Sequence, residues 1–216
     1  MQVVTVTAKP LEVRMQGPQG QERLKIRSKY PKIPLSQSLF TNLGLMHLIA
    51  PYLPRKIVTD FPVAKEIRDL IRAMYKHEGA KPPRFQSPRK ELDFSSPKTQ
   101  SEKVAVAYSA GKDSLWNMWW SIEKYGNENV LCTHISGLNR SNAPYERRYS
   151  EKQATDVGFR NFELIDLLNS SKNSGYSVMR SRDMFLSGIV APVVIDFGAS
   201  KIITEGFRAG AHSGDK

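Results

Sequence analysis

Six consecutive residues, Ser109-Ala110-Gly111-Lys112-Asp113-Ser114, combine the side-chain types that can hold a phosphate. They interrupt the apolar run Lys103–Tyr108, and an aromatic, helix-like stretch follows at once. In that stretch Leu115, Met118, Trp119 and Ile122 keep helical spacing, and Gly126 supplies a stop. The joint is then the carboxyl end of a strand meeting the amino end of a helix. Free backbone N–H groups and the helix dipole favour an anion there. Small residues let the backbone approach phosphate oxygens, and Ser109 and Ser114 can add hydroxyl donors. Lys112 can neutralise charge that develops during phosphoryl chemistry. Asp113 is out of place beside an anion unless a divalent cation lies between them. Together these residues predict a Mg²⁺-nucleotide site.

Two common phosphate loops are excluded by inspection. A Walker A loop needs glycine five positions before Gly111, where Val106 stands, and Ser or Thr after Lys112, where Asp113 stands. A dinucleotide fingerprint needs three glycines at fixed spacing, and only one is present. Elsewhere, His134 ends a predicted strand and is read either as a nucleotide contact or as a hydrogen-bonded strand-end histidine. Cys132, the single cysteine, is expected to pack as a small hydrophobe, and it excludes an internal disulfide and any multi-cysteine zinc site. Trp116, Trp119 and Trp120 are expected to pack against the sheet and the front of the chain. Tyr145, Glu146, Arg147 and Arg148 read as a solvated helix face.

The elements that must position the loop follow from a change of rhythm. Strands are predicted at 103–108, 130–135, 161–166 and 201–204, and helices at 113–125, 145–157 and 182–198. Strand–helix alternation predicts a parallel sheet covered on both faces, with ligands at the carboxyl ends of its strands.

With these motifs in view, the loop resembles the S-G-G-x-D-S loop of the PP-loop ATP pyrophosphatases, with Ala110 where that family usually has glycine. The stretch THISGLNRSNAPYERRYSEKQATDVGF is similar to the family's adenine-side loop and second helix. RSRDMFLSGIVAPVVIDFGASKIITEGF looks like a segment of the 7-cyano-7-deazaguanine synthases, with Arg182, Asp183, Phe185 and Leu186 on matching positions. The closing AGAHSGDK is faintly similar to their S-G-Y-P-D turn. The resemblance covers residues 103–216. It implies an α/β fold: a parallel-sheet PP-loop (adenine nucleotide alpha hydrolase-like) domain that uses ATP and Mg²⁺ to adenylate a substrate and release pyrophosphate. It implies Lys112, Asp113 and Arg182 as catalytic residues, and Asp113 as the residue facing Mg²⁺. His134 and Gly206 would join Ser109–Ser114 in binding nucleotide. The substrate would be a 7-deazaguanine-like carboxylate, with ammonia as second nucleophile. The zinc-binding cysteines of the nitrile synthases are missing after Cys132, so a shortened chain, a divergent relative or completion by a partner subunit is expected. A tRNA-modifying PP-loop enzyme and a nucleotide-binding module without catalysis are the alternatives, and a homo-oligomer is a further expectation.

The resemblance does not extend to residues 1–102. Val4 and Val6, then Leu11, Val13 and Met15, then Leu24 and Ile26 alternate with polar residues, and Gly-Pro-Gln-Gly (17–20) predicts a hairpin. A short buried helix is expected between Pro34 and Leu53. A second helix is expected with Asp60 as its cap, Pro62 in its first turn and Gly79 past its end. Ile67, Leu70, Ile71 and Met74 form its apolar face, and Lys65, Arg68, Arg72 and Lys76 form another. Residues 1–78 therefore read as a small basic α+β domain, 79–102 as a Pro-rich basic linker and 103–216 as the nucleotide domain. Of the net charge of +11, residues 1–103 supply +10, from 19 Lys+Arg against 9 Asp+Glu. That regional excess predicts a polyanion, such as tRNA, as partner of the front half. The first fifteen residues lack a signal-peptide core and no apolar run reaches membrane-spanning length, so a cytoplasmic protein is expected.

Overall fold

Val4 and Val6 of β1 (Val3–Lys9) are buried while Thr5 and Thr7 face outward, the period of two of a half-covered strand. This computed structural model describes residues 3–29, 34–89, 92, 101–137, 143–169 and 189–204. β2 (Glu12–Gly17) and β3 (Gly20–Arg27) follow as an antiparallel meander, with Gly17 paired to Gly20 across the expected Pro18-Gln19 turn. α1 (Pro34–Ile49) has 16 residues, longer than the short helix expected there, and buries Phe40, Leu45, Leu48 and Ile49. It lies on the meander at Gly44, where a Cβ would come within 3.0 Å of Val13 Cγ2 and 3.2 Å of Leu24 Cδ2.

β4 (Lys56–Thr59) and β5 (Arg84–Gln86) extend the sheet, parallel to β1. β5 lies inside the stretch expected to be only a linker. Between them runs α2 (Lys65–His77), and Gly79 follows its end at φ +67° as expected. Its amino end has no side-chain cap, and the expected Asp60 is engaged elsewhere. Asn42 Oδ1 of α1 accepts the Ala64 N–H at 3.0 Å, whereas Asp60 accepts the Ala8 N–H at 3.0 Å. The buried face is Ile67, Ile71 and Tyr75; Leu70, placed on it by sequence, is 46% exposed. Tyr75 continues the i, i+4, i+8 line, and its hydroxyl donates to Pro54 O at 2.7 Å.

The alternation expected in the second half is present. β6 (Val104–Ala107), α3 (Lys112–Tyr125), β7 (Val130–Ser136), α4 (Ala143–Val157), β8 (Asn161–Asn169), the helical residues 189–197 (α5) and β9 (Lys201–Ile203) follow in order. β6 to β9 are mutually parallel. Successive strand residues serve opposite faces. Val104, Val106 and Cys132 pack with Met118 of α3 and Ala154 of α4, while Ala105, Leu131 and Ile165 pack with Ile189, Val193 and Val194 of α5.

Among the described residues, nine strands form one mixed, largely parallel sheet in the order β5-β4-β1-β2-β3-β8-β7-β6-β9. The fold is therefore α/β. The seam between the two halves is the antiparallel pair β3–β8, with Ile26 opposite Leu167. The buried Glu163 carboxylate of β8 reinforces it, accepting from the Ser28 hydroxyl and from the Lys29 N–H at 3.0 Å, with the Lys29 ammonium 3.2 Å away. Among the described residues no helix is long and apolar enough to cross a membrane.

The three tryptophans depart from the sequence expectation. Trp116, Trp119 and Trp120 are 71%, 53% and 41% exposed. The side of α3 that meets the sheet carries Ser114, Met118 and Ser121 instead. Ser121 is small enough to fit there, and its hydroxyl is satisfied by Asn117 O at 2.6 Å.

Candidate functional site

The parallel part of the sheet runs β8-β7-β6-β9. The chain winds outward from β6 to β7 to β8, then returns to the other edge of β6 as β9. In open parallel sheets, ligands bind outside the carboxyl ends of the strands where the strand order reverses in this way. The residues that follow β6 there are Tyr108 and then Ser109–Ser114.

Tyr108 anchors the base of this loop. It is 3% exposed, its N–H donates to Thr133 O at 2.8 Å, and its hydroxyl bonds to Gln153 Oε1 of α4. Its ring meets Phe159 edge-on at 5.8 Å. Burial pushes the Tyr108 hydroxyl up to about 12, so it stays a neutral donor. His134 lies one strand across, 4% exposed, with Nδ1 2.8 Å from Tyr108 O. A carbonyl can only accept, so the imidazole donates from Nδ1. The histidine therefore braces the backbone beneath the loop. Nothing in the sequence singled out Tyr108 or Gln153, because their pairing joins two elements 45 residues apart. Burial likewise pushes the Cys132 thiol well up, which keeps it an inert part of the core.

The loop is held by its own serines. Ser109 N–H donates to Ser114 Oγ at 3.2 Å, and Ser114 Oγ donates to Gly111 O at 2.9 Å. The two hydroxyl oxygens are 3.0 Å apart, and Gly111 N–H donates to Ser109 Oγ at 3.3 Å. Ser114 is fully buried, so its proton is committed to the loop rather than offered outward. The first intrahelical bond of α3 is Leu115 N–H to Gly111 O at 2.9 Å. The amides of Lys112, Asp113 and Ser114 precede it at the positive end of the helix dipole. Lys112 and Asp113 are exposed in that first turn. Arg182 and Gly206 lie outside the described residues, as do Asp183, Phe185, Leu186 and the closing AGAHSGDK.

Ala110 has φ +63°, the left-handed region that favours glycine, whereas Gly111 has an ordinary φ of −84°. An L-residue pays about 1–2 kcal/mol there, and glycine returns about 0.4–1 kcal/mol of that through a freer unfolded chain. Ala110→Gly is therefore expected to be neutral or to stabilise by up to about 1.5 kcal/mol. Urea unfolding of the two proteins checks this, and a clear loss of stability would contradict the backbone geometry.

The basic face of α2 is largely engaged. Lys65 and Arg72 both pair with Asp69, at 2.8 and 2.9 Å. Arg68 donates to Ser87 Oγ at 2.8 Å and lies over the Phe85 ring. No protein-family model matches the chain, and no curated protein matches it.

Proposed function

We propose that the chain binds Mg-ATP at Ser109–Ser114 and uses it to adenylate an oxygen of its substrate, releasing pyrophosphate, in the manner of the PP-loop ATP pyrophosphatases. One observation carries the reading: a self-braced loop of small residues lies between β6 and α3 at the point where the sheet's winding reverses. The donor set suits a triphosphate. Backbone amides at a helix start and the Lys112 ammonium all present positive charge. A Cβ at Gly111 would come within 3.2 Å of Ser109 Oγ, so a side chain there would crowd the cradle.

In this reading the amides of Lys112, Asp113 and Ser114 hold phosphate oxygens, and the Asp113 carboxylate would hold Mg²⁺, a hard cation that prefers oxygen ligands. The bound ion would supply neutralisation of phosphate charge. Lys112 stabilises charge on the departing pyrophosphate. His134 and Tyr108 keep the loop's base fixed, so the substrate oxygen and the α-phosphorus meet in line. Arg182 and Gly206 join the site on the strength of the resemblance alone. The substrate this resemblance favours is a 7-deazaguanine-like carboxylate, with ammonia attacking the adenylate, in the cytoplasm. The net charge of +10 on residues 1–103 favours a tRNA substrate as second reading. The engaged cations of α2 do not strengthen it.

ATP labelled at its α-phosphate, incubated with Mg²⁺, a 7-carboxy-7-deazaguanine and ammonia, should yield AMP and pyrophosphate. ADP with orthophosphate as the only products would overturn the assignment. Binding is read separately from turnover: Mg-ATP at a hundred times its Kd should stabilise the fold by about 2.7 kcal/mol. Asp113→Asn should weaken Mg-dependent binding tenfold or more while changing metal-free ATP binding little, because a neutral amide is a poorer ligand for a hard cation.

A further inference from the structure

The outward face of α3 carries a stripe of Lys112, Trp116, Trp119 and Glu123, spaced 4, 3 and 4, with Trp120 beside it. That is the seam of a helix that packs lengthwise against another helix. Trp116 and Trp119 are 71% and 53% exposed, and Lys112 and Glu123 are also exposed. Among the described residues neither Lys112 nor Glu123 makes an ion pair. Trp120 is supported within its own chain, edge-on to Tyr125 at 6.1 Å and with Lys124 4.7 Å from its ring.

We infer that this face is the contact of a symmetric dimer in which α3 packs antiparallel against α3 of a second copy. The midpoint between Trp116 and Trp119 is also the midpoint between Lys112 and Glu123. A two-fold axis through that point therefore sets each Trp116 against the other copy's Trp119. It also sets each Lys112 against the other copy's Glu123, at both ends of the contact. Self-complementarity of this kind is what an isologous interface requires. The same face does not suit a polyanion, because Lys112 and Lys124 are balanced by Asp113 and Glu123. The exposed parts of the three tryptophans amount to about 400 Å² per copy, taking about 250 Å² for a whole side chain. This is half the roughly 800 Å² per partner of a standard interface. The flanking polar residues of α3 supply the polar rim such contacts have. Tryptophans at the centre of an interface are its usual anchors. The inference shares Lys112 with the proposed phosphate site, so the tryptophan variants, which leave that side chain in place, test it separately from the chemistry.

Sedimentation velocity over a range of concentrations tests it, with circular dichroism to show that each variant stays folded. The wild-type chain should pass from 24.4 kDa toward twice that mass as concentration rises. Trp116→Ala with Trp119→Ala should weaken association by a hundredfold or more. Glu123→Lys alone and Lys112→Glu alone should each weaken it, since each places like charges at both ends. An equimolar mixture of those two variants should recover the dimer, because only the mixed pair restores opposite charges. A monomer at every concentration that stays in solution would overturn the inference. So would a dimer indifferent to the tryptophans, or a mixture no better than its components. Quenching of tryptophan fluorescence by a single-stranded oligonucleotide, without dimer formation, would assign the face to base stacking instead.

Discussion

Replacing Gly137 with alanine will cost the fold about 3 kcal/mol or more, from backbone strain and overpacking acting together. Gly137 follows β7 at φ +96°, and a Cβ built there falls 2.3 Å from Leu167 O, a backbone atom of β8. A flexible side chain could turn away; a carbonyl within a strand ladder cannot. Relief would require β8 to shift, and Leu167 is paired with Ile26 across the seam. Gly158 serves as control, since it has φ +77° and nothing within 4 Å of its Cβ. Gly158→Ala should lose only the conformational part, about 1 kcal/mol. Urea midpoints for the two variants separate the effects. Equal losses would show that the Leu167 carbonyl yields freely and that the close approach has no energetic weight.

Acidification below pH 6.5 should destabilise the protein by about 3 kcal/mol by pH 4, from one histidine. His47 lies in the last turn of α1, 5% exposed, and burial pushes its pKa down from 6.5 to about 4. Above pH 6.5 the imidazole is neutral in both states and contributes no pH dependence. Between pH 6.5 and about 4 the unfolded chain binds a proton that the folded chain refuses, so stability falls as pH falls. Below about 4 the contribution levels off. His47→Gln should flatten the slope of unfolding free energy against pH in that window, whatever it does to stability at neutral pH. A slope unchanged by the substitution would show that other groups carry the acid response. Glu12 acts lower on the scale. Burial alone would raise its carboxyl, but hydrogen bonds and charge from Arg14 and Lys25 hold it below the usual carboxylate range. Its stabilisation is present above the ordinary carboxylate pKa and is lost as pH falls through the lowered one.

The strand–helix rhythm of residues 103–204 was readable because apolar runs there are short, closed by glycine and separated by helical spacing. The position of the loop 109–114 between a strand and a helix was readable for the same reason, since it depends on local order alone. The facing of α3 was misread for a physical reason. Tryptophans look like core residues and serines like surface, yet Ser114 and Ser121 satisfy their hydroxyls within α3 and the loop and occupy the tight side against the sheet. The anchoring of the α2 entry was missed because the group that accepts the Ala64 N–H, Asn42, comes from another helix 22 residues away. The pairing of β3 with β8 has no local signature at all. Neither does the left-handed backbone at Ala110, where residue type argues against the conformation. The roles of Tyr108 and His134 under the loop emerge only once β6 and β7 are side by side.

The β3–β8 seam sets a constraint on the order of events during synthesis. Ser28 leaves the ribosome 135 residues before Glu163, the residue that secures it. Until β8 is made, the outer edge of β3 is an open strand with unpaired amide and carbonyl groups, a template for any other extended chain. The meander with α1 can collapse early because its contacts are local, but closing the sheet must wait for a distant partner, which makes that step slow. The nascent front half, with its concentration of lysine and arginine, therefore spends its most vulnerable interval strongly charged. Mutual repulsion between neighbouring nascent chains protects the exposed edge until the second half arrives to cover it.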